Sequence, residues 1–285
     1  MNPSRFIYLN GQYLPESEAL IPVADRGFRF GDGLFETIRI HHAVPYQWEF
    51  HMQRLSEGLA ALHITCNEDW AAATKGLLQK NMQTDGFIRI SISRGVGSRG
   101  YRPHPQTLTP TIVMESLRDM SGPKDEYNLW VSNYTKPSLS ALPVNHKIAQ
   151  GLNSTLALLE AEEHHCEEAI LLSQDGKVCE AASANILWLK DGTLYTPDLK
   201  TGCLRGSTRE TIMRLADVKT ALEPLDSLKS AEALWIINGR IGIHPVQGIK
   251  PLNIHFADHA MTETLKKLWR SDIENYTHAH REAWQ

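Results

Sequence analysis

Residues 167–195 read EEAILLSQDGKVCEAASANILWLKDGTLY. Residues 169–172 form a short apolar run, Asp175-Gly176 is a turn, and a strand-like run resumes at Val178. Asn185 opens another β-rich run, 185–189, which Asp191-Gly192 closes. Dipeptides ending in Gly between apolar runs favour tight hairpins, because both central positions tolerate positive φ. Strand thus follows strand directly, without the intervening helix that a parallel sheet needs. This stretch predicts an α+β fold rather than a doubly wound sheet.

Working outward, the same signals recur. Residues 6–9 read as a strand closed by Asn10-Gly11. Residues 23–33 are dense in Gly, Asp and Arg and read as loop, and 34–40 as strand. Leu55, Leu59 and Leu62 recur at helical spacing, predicting a helix over 47–62. A second helix is expected over 68–83, with Asn67 as its cap. Ile88, Ile90 and Ile92 alternate with Arg89, Ser91 and Ser93, which is the period of a half-buried strand. In the second half, strands are expected at 129–132 and 234–237. Helices are expected at 152–165, on a Leu152/Leu156/Leu159 face, from Ser207, and over 257–269. Gly122-Pro123 and its charged neighbours mark a linker at 119–126 between halves 1–118 and 127–285. The tail after 270 carries no assignable role.

Composition narrows the function. With 42% apolar and 22% charged residues in 285, the chain can bury a large core, which excludes disorder and a stapled mini-domain. The net charge of −4 and the lack of a basic stripe argue against nucleic acid as a partner. Cys66, Cys166, Cys179 and Cys203 form no CxxC pair, so reduced thiols in the cytoplasm are expected. No run of about 18 apolar residues is present, so no membrane span is expected, and the N-terminal stretch shows no secretory pattern. The histidine spots 41–42, 164–165 and 278–280 lack metal spacing with carboxylates and read as solvated, so no metal is expected.

Several residues carry possible chemistry. Lys147 lies in an apolar segment before a helix, where a lysine either snorkels to solvent or, with its charge disfavoured, can form a Schiff base. Glu180 sits among small and apolar neighbours and either caps a turn or holds a proton on a ring nitrogen; Asn185 suits both. Ser207 and Glu210 fit a capping box, and the same helix start is a ready anion site. Asn238-Gly239 is a turn or a further anion contact. Arg54 is a helix charge beside an apolar face, and Arg99-Gly100-Tyr101 is either a flexible loop or a carboxylate clamp. Gly31-Asp32-Gly33 matches neither GxGxxG nor GxxxxGK.

With these residues in view, the chain resembles the class IV aminotransferase family, the fold-type IV pyridoxal-phosphate enzymes. The matching stretches are NGQYLP, ADRGFRFGDGLFETIRI, HMQRL, ISRGVGSRGY, HKIAQGLNSTLALLEA, EEAILLSQDGKVCEAASANILW, LYTPDLKTGCLRGSTRETI and INGRIGIHPV, across roughly residues 6–248. The resemblance implies two α+β domains with pyridoxal 5'-phosphate between them, commonly in a homodimer, and a small-molecule amine substrate. It implies Lys147 as the Schiff-base lysine and Glu180 as partner of the pyridinium nitrogen, with Asn185 nearby. Arg54, Ser207, Thr208, Asn238 and Gly239 would hold the phosphate, and Leu204 would pack on the ring. Phe35, Arg99 and Tyr101 would line the substrate side. SRGVGSRGY is similar to aminodeoxychorismate lyases, which make 4-aminobenzoate for folate, although Gln150 stands where those lyases have Asn. Aminotransferases of D-amino or branched-chain amino acids are the alternative, and a catalytically inert binding protein is a second.

Overall fold

The computed structural model of the chain describes residues 5–103, 109–118, 124 and 126–284. Most of the expected linker lies outside the described residues. The fold is α+β in two compact units, neither of them one continuous stretch. Unit 1 is Met1–Met120 with His146–Gln150 and Ile273–Gln285, and unit 2 is Ser121–Asn145 with Gly151–Asp272. Two short pieces of the expected second half, 127–285, are therefore housed with the first.

Unit 1 holds strands β1 (Phe6–Leu9), β2 (Gln12–Pro15), β3 (Gly33–His41), β4 (Val44–Pro45), β5 (Gly86–Ser93) and β6 (Thr111–Leu117). They form one antiparallel sheet in the order β2-β1-β6-β5-β3-β4. Asn10 (φ 48°) and Gly11 (φ 89°) make the β1–β2 turn, as the dipeptide predicts. One face of β5 buries Ile88, Ile90 and Ile92. They pack with Ile38 of β3, Leu55 and Leu59 of helix α2 (Trp48–Ala61), and Leu77 of helix α3 (Trp70–Lys80). Helix α3 is capped by Asp69, whose carboxylate accepts the Ala72 N–H, and not by Asn67. Within the expected loop 23–33 a five-residue helix, α1 (Arg26–Phe30), is capped by Asp25 and stopped by Gly31 at φ 63°.

Unit 2 has two five-stranded sheets. The first runs β12-β11-β10-β13-β14: β10 is Asn185–Lys190, β11 Thr193–Pro197, β12 Val218–Ala221, β13 Ala233–Asn238 and β14 Gly242–Pro245. The second runs β16-β15-β7-β8-β9: β7 is Asn128–Val131, β8 Glu168–Leu172, β9 Val178–Ala181, β15 Gly248–Ile249 and β16 Ile254–His255. Trp188, Ile186, Ile236 and Ile170 share one core. Helix α4 (Leu152–Glu163) contradicts its leucine pattern. Leu152 and Leu159 are 70% and 52% exposed, while Ala157 and Ala161 are buried against Ala169 and Leu171 of β8. Small residues let the helix lie close to the strand, which the larger leucines would prevent. Helix α5 is Ser207–Leu215. Helix α6 runs Met261–Trp284, far beyond the expected 257–269, and absorbs the tail. Its first part packs Trp269 so closely on Gly242 that a Cβ there would lie 2.6 Å from the ring.

Candidate functional site

In unit 1, the segment bearing Lys147 is laid against β3 by the bridge Leu34↔Ile148. The Phe35 N–H donates to the Lys147 carbonyl at 2.9 Å, and the Ala149 N–H to the Gly33 carbonyl at 2.8 Å. Lys147 is half-buried, with Nζ 4.5 Å from the centre of the Phe35 ring. The backbone thus holds this lysine against an aromatic face, and free snorkelling does not describe it. Phe35 and Lys147 are brought together as expected from neither composition nor periodicity.

Arg89, which alternates with the buried isoleucines of β5, stacks its guanidinium 4.0 Å from the same ring centre. It and Phe35 line a cavity of about 450 Å³ with Ser91, Leu34, Phe28 and Ala149. Arg89 is the one basic residue among the described lining residues, and burial holds its proton affinity below the usual arginine value. The alternation of β5 was the available signal: the face opposite the Ile88/Ile90/Ile92 core had to look somewhere.

Arg54 is not a solvated helix charge. Its Nε and Nη2 donate to the two oxygens of Glu36, each at 2.6 Å, and all three of Arg54, Glu36 and His51 are buried. His51 Nδ1 lies 2.8 Å from Glu36 Oε2. Burial alone would raise the Glu36 carboxyl, but the Arg54 charge and the His51 contact overcome it and pull it down to about 2. Burial holds His51 below its ordinary value, so a neutral imidazole donating to Glu36 is the favoured form. Arg99 and Tyr101 do not line the cavity. Tyr101 is 85% exposed with its ring on Phe30, and Arg26 donates to the Gly100 and Tyr101 carbonyls. Gln150 donates to the Phe30 carbonyl at 2.8 Å, closing the end of α1.

In unit 2, Glu180, Asn185 and Leu204 form one cradle. The Leu204 N–H donates to Glu180 Oε2 at 2.8 Å, and Asn185 Nδ2 donates to the Leu204 carbonyl at 2.8 Å. The other Glu180 oxygen accepts the Lys136 ammonium. Burial opposes the charge of Lys136, but Glu180 outweighs it and holds the ammonium proton more tightly than usual. Lys136 lies 44 positions upstream in an irregular segment, and no sequence signal marked it. Burial pushes the neighbouring Cys203 thiol up to about 11 and that of Cys179 higher still, so both are inert thiols rather than nucleophiles.

The expected capping box at Ser207 and Glu210 is absent. Gly206 is the cap residue, no side chain caps α5, and Glu210 pairs with Arg209 and Arg205 instead. Glycine at 206 leaves Asn185 in place, since a Cβ there would meet Asn185 Oδ1 at 2.0 Å. The buried Thr208 hydroxyl has no hydrogen-bond partner among the described residues. A Cβ on Gly239 would lie 3.6 Å from Ser207 Oγ, and Asn238 shapes this turn by accepting the Arg240 and Ile241 N–H groups. An uncapped helix start with an orphaned buried hydroxyl suits a phosphate, which would satisfy both. The cradle at Glu180 suits a protonated ring nitrogen, so these residues fit the cofactor that the resemblance implies.

The family model for class IV amino-transferases matches residues 33–249. An aminodeoxychorismate lyase of Bacillus subtilis is 30% identical over 286 residues, covering 95% of this chain and 96% of its own. A D-alanine aminotransferase of Bacillus licheniformis is 27% identical over 251 residues, covering 85% and 88%. The solved structure of 4-amino-4-deoxychorismate lyase from Pseudomonas aeruginosa superposes with a TM-score of 0.80 at 26% identity, covering 94% of this chain and 99% of that one. The matched span runs from the first residue of β3 through the Lys147 segment, the Glu180 cradle and the α5 helix start, and the chain belongs to the class IV aminotransferase family.

Proposed function

We propose that this chain is a pyridoxal-phosphate enzyme acting as a 4-amino-4-deoxychorismate lyase, releasing 4-aminobenzoate and pyruvate. The observation that carries the lyase reading is the likeness to the Bacillus subtilis lyase along 95% of the chain. Pyridoxal phosphate is the cofactor of the family. Bound, it supplies an electrophilic carbon for amines and a ring that withdraws electrons.

The residues act around it as follows. Lys147 Nζ would hold the cofactor through that carbon and would carry protons for the bound substrate. The elimination is redox-neutral: the C–O bond to the enolpyruvyl group breaks, a ring proton is lost, and the carbocycle aromatises. Glu180 would face the ring nitrogen with one oxygen, while its other oxygen pairs with Lys136. In unit 2, Ser207, Thr208 and the N–H groups at the start of α5 would hold the phosphate. Arg89 is the cation for a substrate carboxylate in the cavity beside Phe35.

The deciding experiment incubates the purified protein with aminodeoxychorismate and measures 4-aminobenzoate and pyruvate in equal amounts. The likeness to a D-alanine aminotransferase favours a second reading. Bleaching of the cofactor absorbance by D-alanine or L-leucine, without lyase turnover, would select it. A colourless protein that takes up no pyridoxal phosphate would make the chain an inert binding protein. The reading includes a homodimer, which sedimentation equilibrium checks. Gly206→Ala is expected to weaken cofactor retention at least tenfold in a titration followed by absorbance, because Asn185 must move from Leu204 to admit the new methyl.

A further inference from the structure

We propose that His41, His42 and Glu274 bind one divalent transition-metal ion on unit 1, with Asp85 behind His41 as the outer partner. Neighbouring residues in a strand point to opposite faces, so an adjacent histidine pair cannot ordinarily share a ligand. Here the strand ends at His41. His42 (φ 49°) and Ala43 (φ 64°) both turn into the left-handed region, bringing the two imidazole rings to 4.2 Å between centres. Glu274 arrives from α6, and its Oε1 lies 2.9 Å from His41 Nε2. One ligand atom from each of the three residues lies within 4.8 Å of the others.

The two ring nitrogens of His41 face different carboxylates: Nδ1 lies 3.3 Å from Asp85 Oδ1, and Nε2 faces Glu274. A metal ion uses both imidazoles and the carboxylate together. The Asp85–His41 contact is then the carboxylate–histidine pairing that fixes the tautomer at metal sites. Asp85 is itself oriented by the His42 N–H, at 3.2 Å.

Two imidazoles and one carboxylate suit zinc, nickel or copper, whereas magnesium and calcium favour all-oxygen sets. The residues are solvent-exposed or half-buried, so water can complete the coordination. A bound ion would tie the last helix to the β3–β4 turn, two segments more than 230 positions apart, as the separation of 233 between His41 and Glu274 shows.

The test is zinc titration by calorimetry on the full, tag-free chain after chelator treatment, with cobalt absorbance as a second readout. About one zinc per chain is expected to bind at this site. His42→Asn and Glu274→Gln should each weaken it at least tenfold, and Asp85→Asn about ten- to a hundredfold. Asparagine tolerates positive φ, so His42→Asn keeps the turn, and circular dichroism checks each variant. No zinc uptake by the wild type, or uptake unchanged in two folded variants, would overturn the proposal.

Discussion

Lys147→Ala is expected to reduce turnover by at least about 10²–10⁴-fold, the range that a positioned acid–base group contributes. The variant should also fail to hold pyridoxal phosphate covalently. Borohydride reduction followed by peptide mapping should label Lys147 in the wild type and nothing in the variant. The substitution leaves the scaffold in place, because Phe35 and Ala149 are held by backbone hydrogen bonds and Leu34↔Ile148 is a backbone bridge. A loss of activity would therefore report chemistry rather than unfolding, and labelling of a different lysine would sink the assignment.

Glu36→Ala is expected to destabilise the chain by about 3–5 kcal/mol, because it leaves the Arg54 guanidinium buried without its carboxylate. Urea unfolding measures this. Replacing both partners with apolar residues, as in Glu36→Leu with Arg54→Met, should recover much of the loss, since no buried charge remains. The same pair predicts a pH dependence. The folded Glu36 carboxyl sits at about 2 against an ordinary 4.5, so it stabilises the fold above that ordinary value. The contribution is lost as pH falls from about 4.5 toward 2. Glu36→Gln should flatten the acid limb of the melting temperature in that window; an unchanged limb would refute the coupling.

How much could be read beforehand depends on the range of the interaction. Strand β5 followed from local alternation, β10 and β13 from short apolar runs, and the turns from dipeptides such as Asp191-Gly192, where a short window suffices. Helix α4 misled because periodicity reports which residues are alike and not which face finds a partner: Leu152 and Leu159 stayed in solvent, while Ala157 and Ala161 packed. The capping box expected at Ser207 and Glu210 failed because the residue pattern does not fix which residue ends the non-helical backbone, and here Gly206 is the cap. Helix α6 outran its pattern because its polar second part is steadied by tertiary contacts, such as the Tyr276 hydroxyl to Glu49 at 2.6 Å and to the Trp48 N–H at 3.0 Å.

By itself the sequence settled the α+β class, the hairpins and, through the order and spacing of its motifs, the family. The class and the hairpins follow from steric limits on φ and from the period of burial, which act over a few residues, whereas the family rests on a resemblance spread along the chain. Tertiary structure alone decided that Glu36 meets Arg54, that Lys136 meets Glu180, that Arg89 shares a ring with Lys147, and that Glu274 meets His41. Each is a charge finding its counterpart or an aromatic face across many positions of chain. Burial makes such pairing necessary, but only the folded path of the backbone selects the partner.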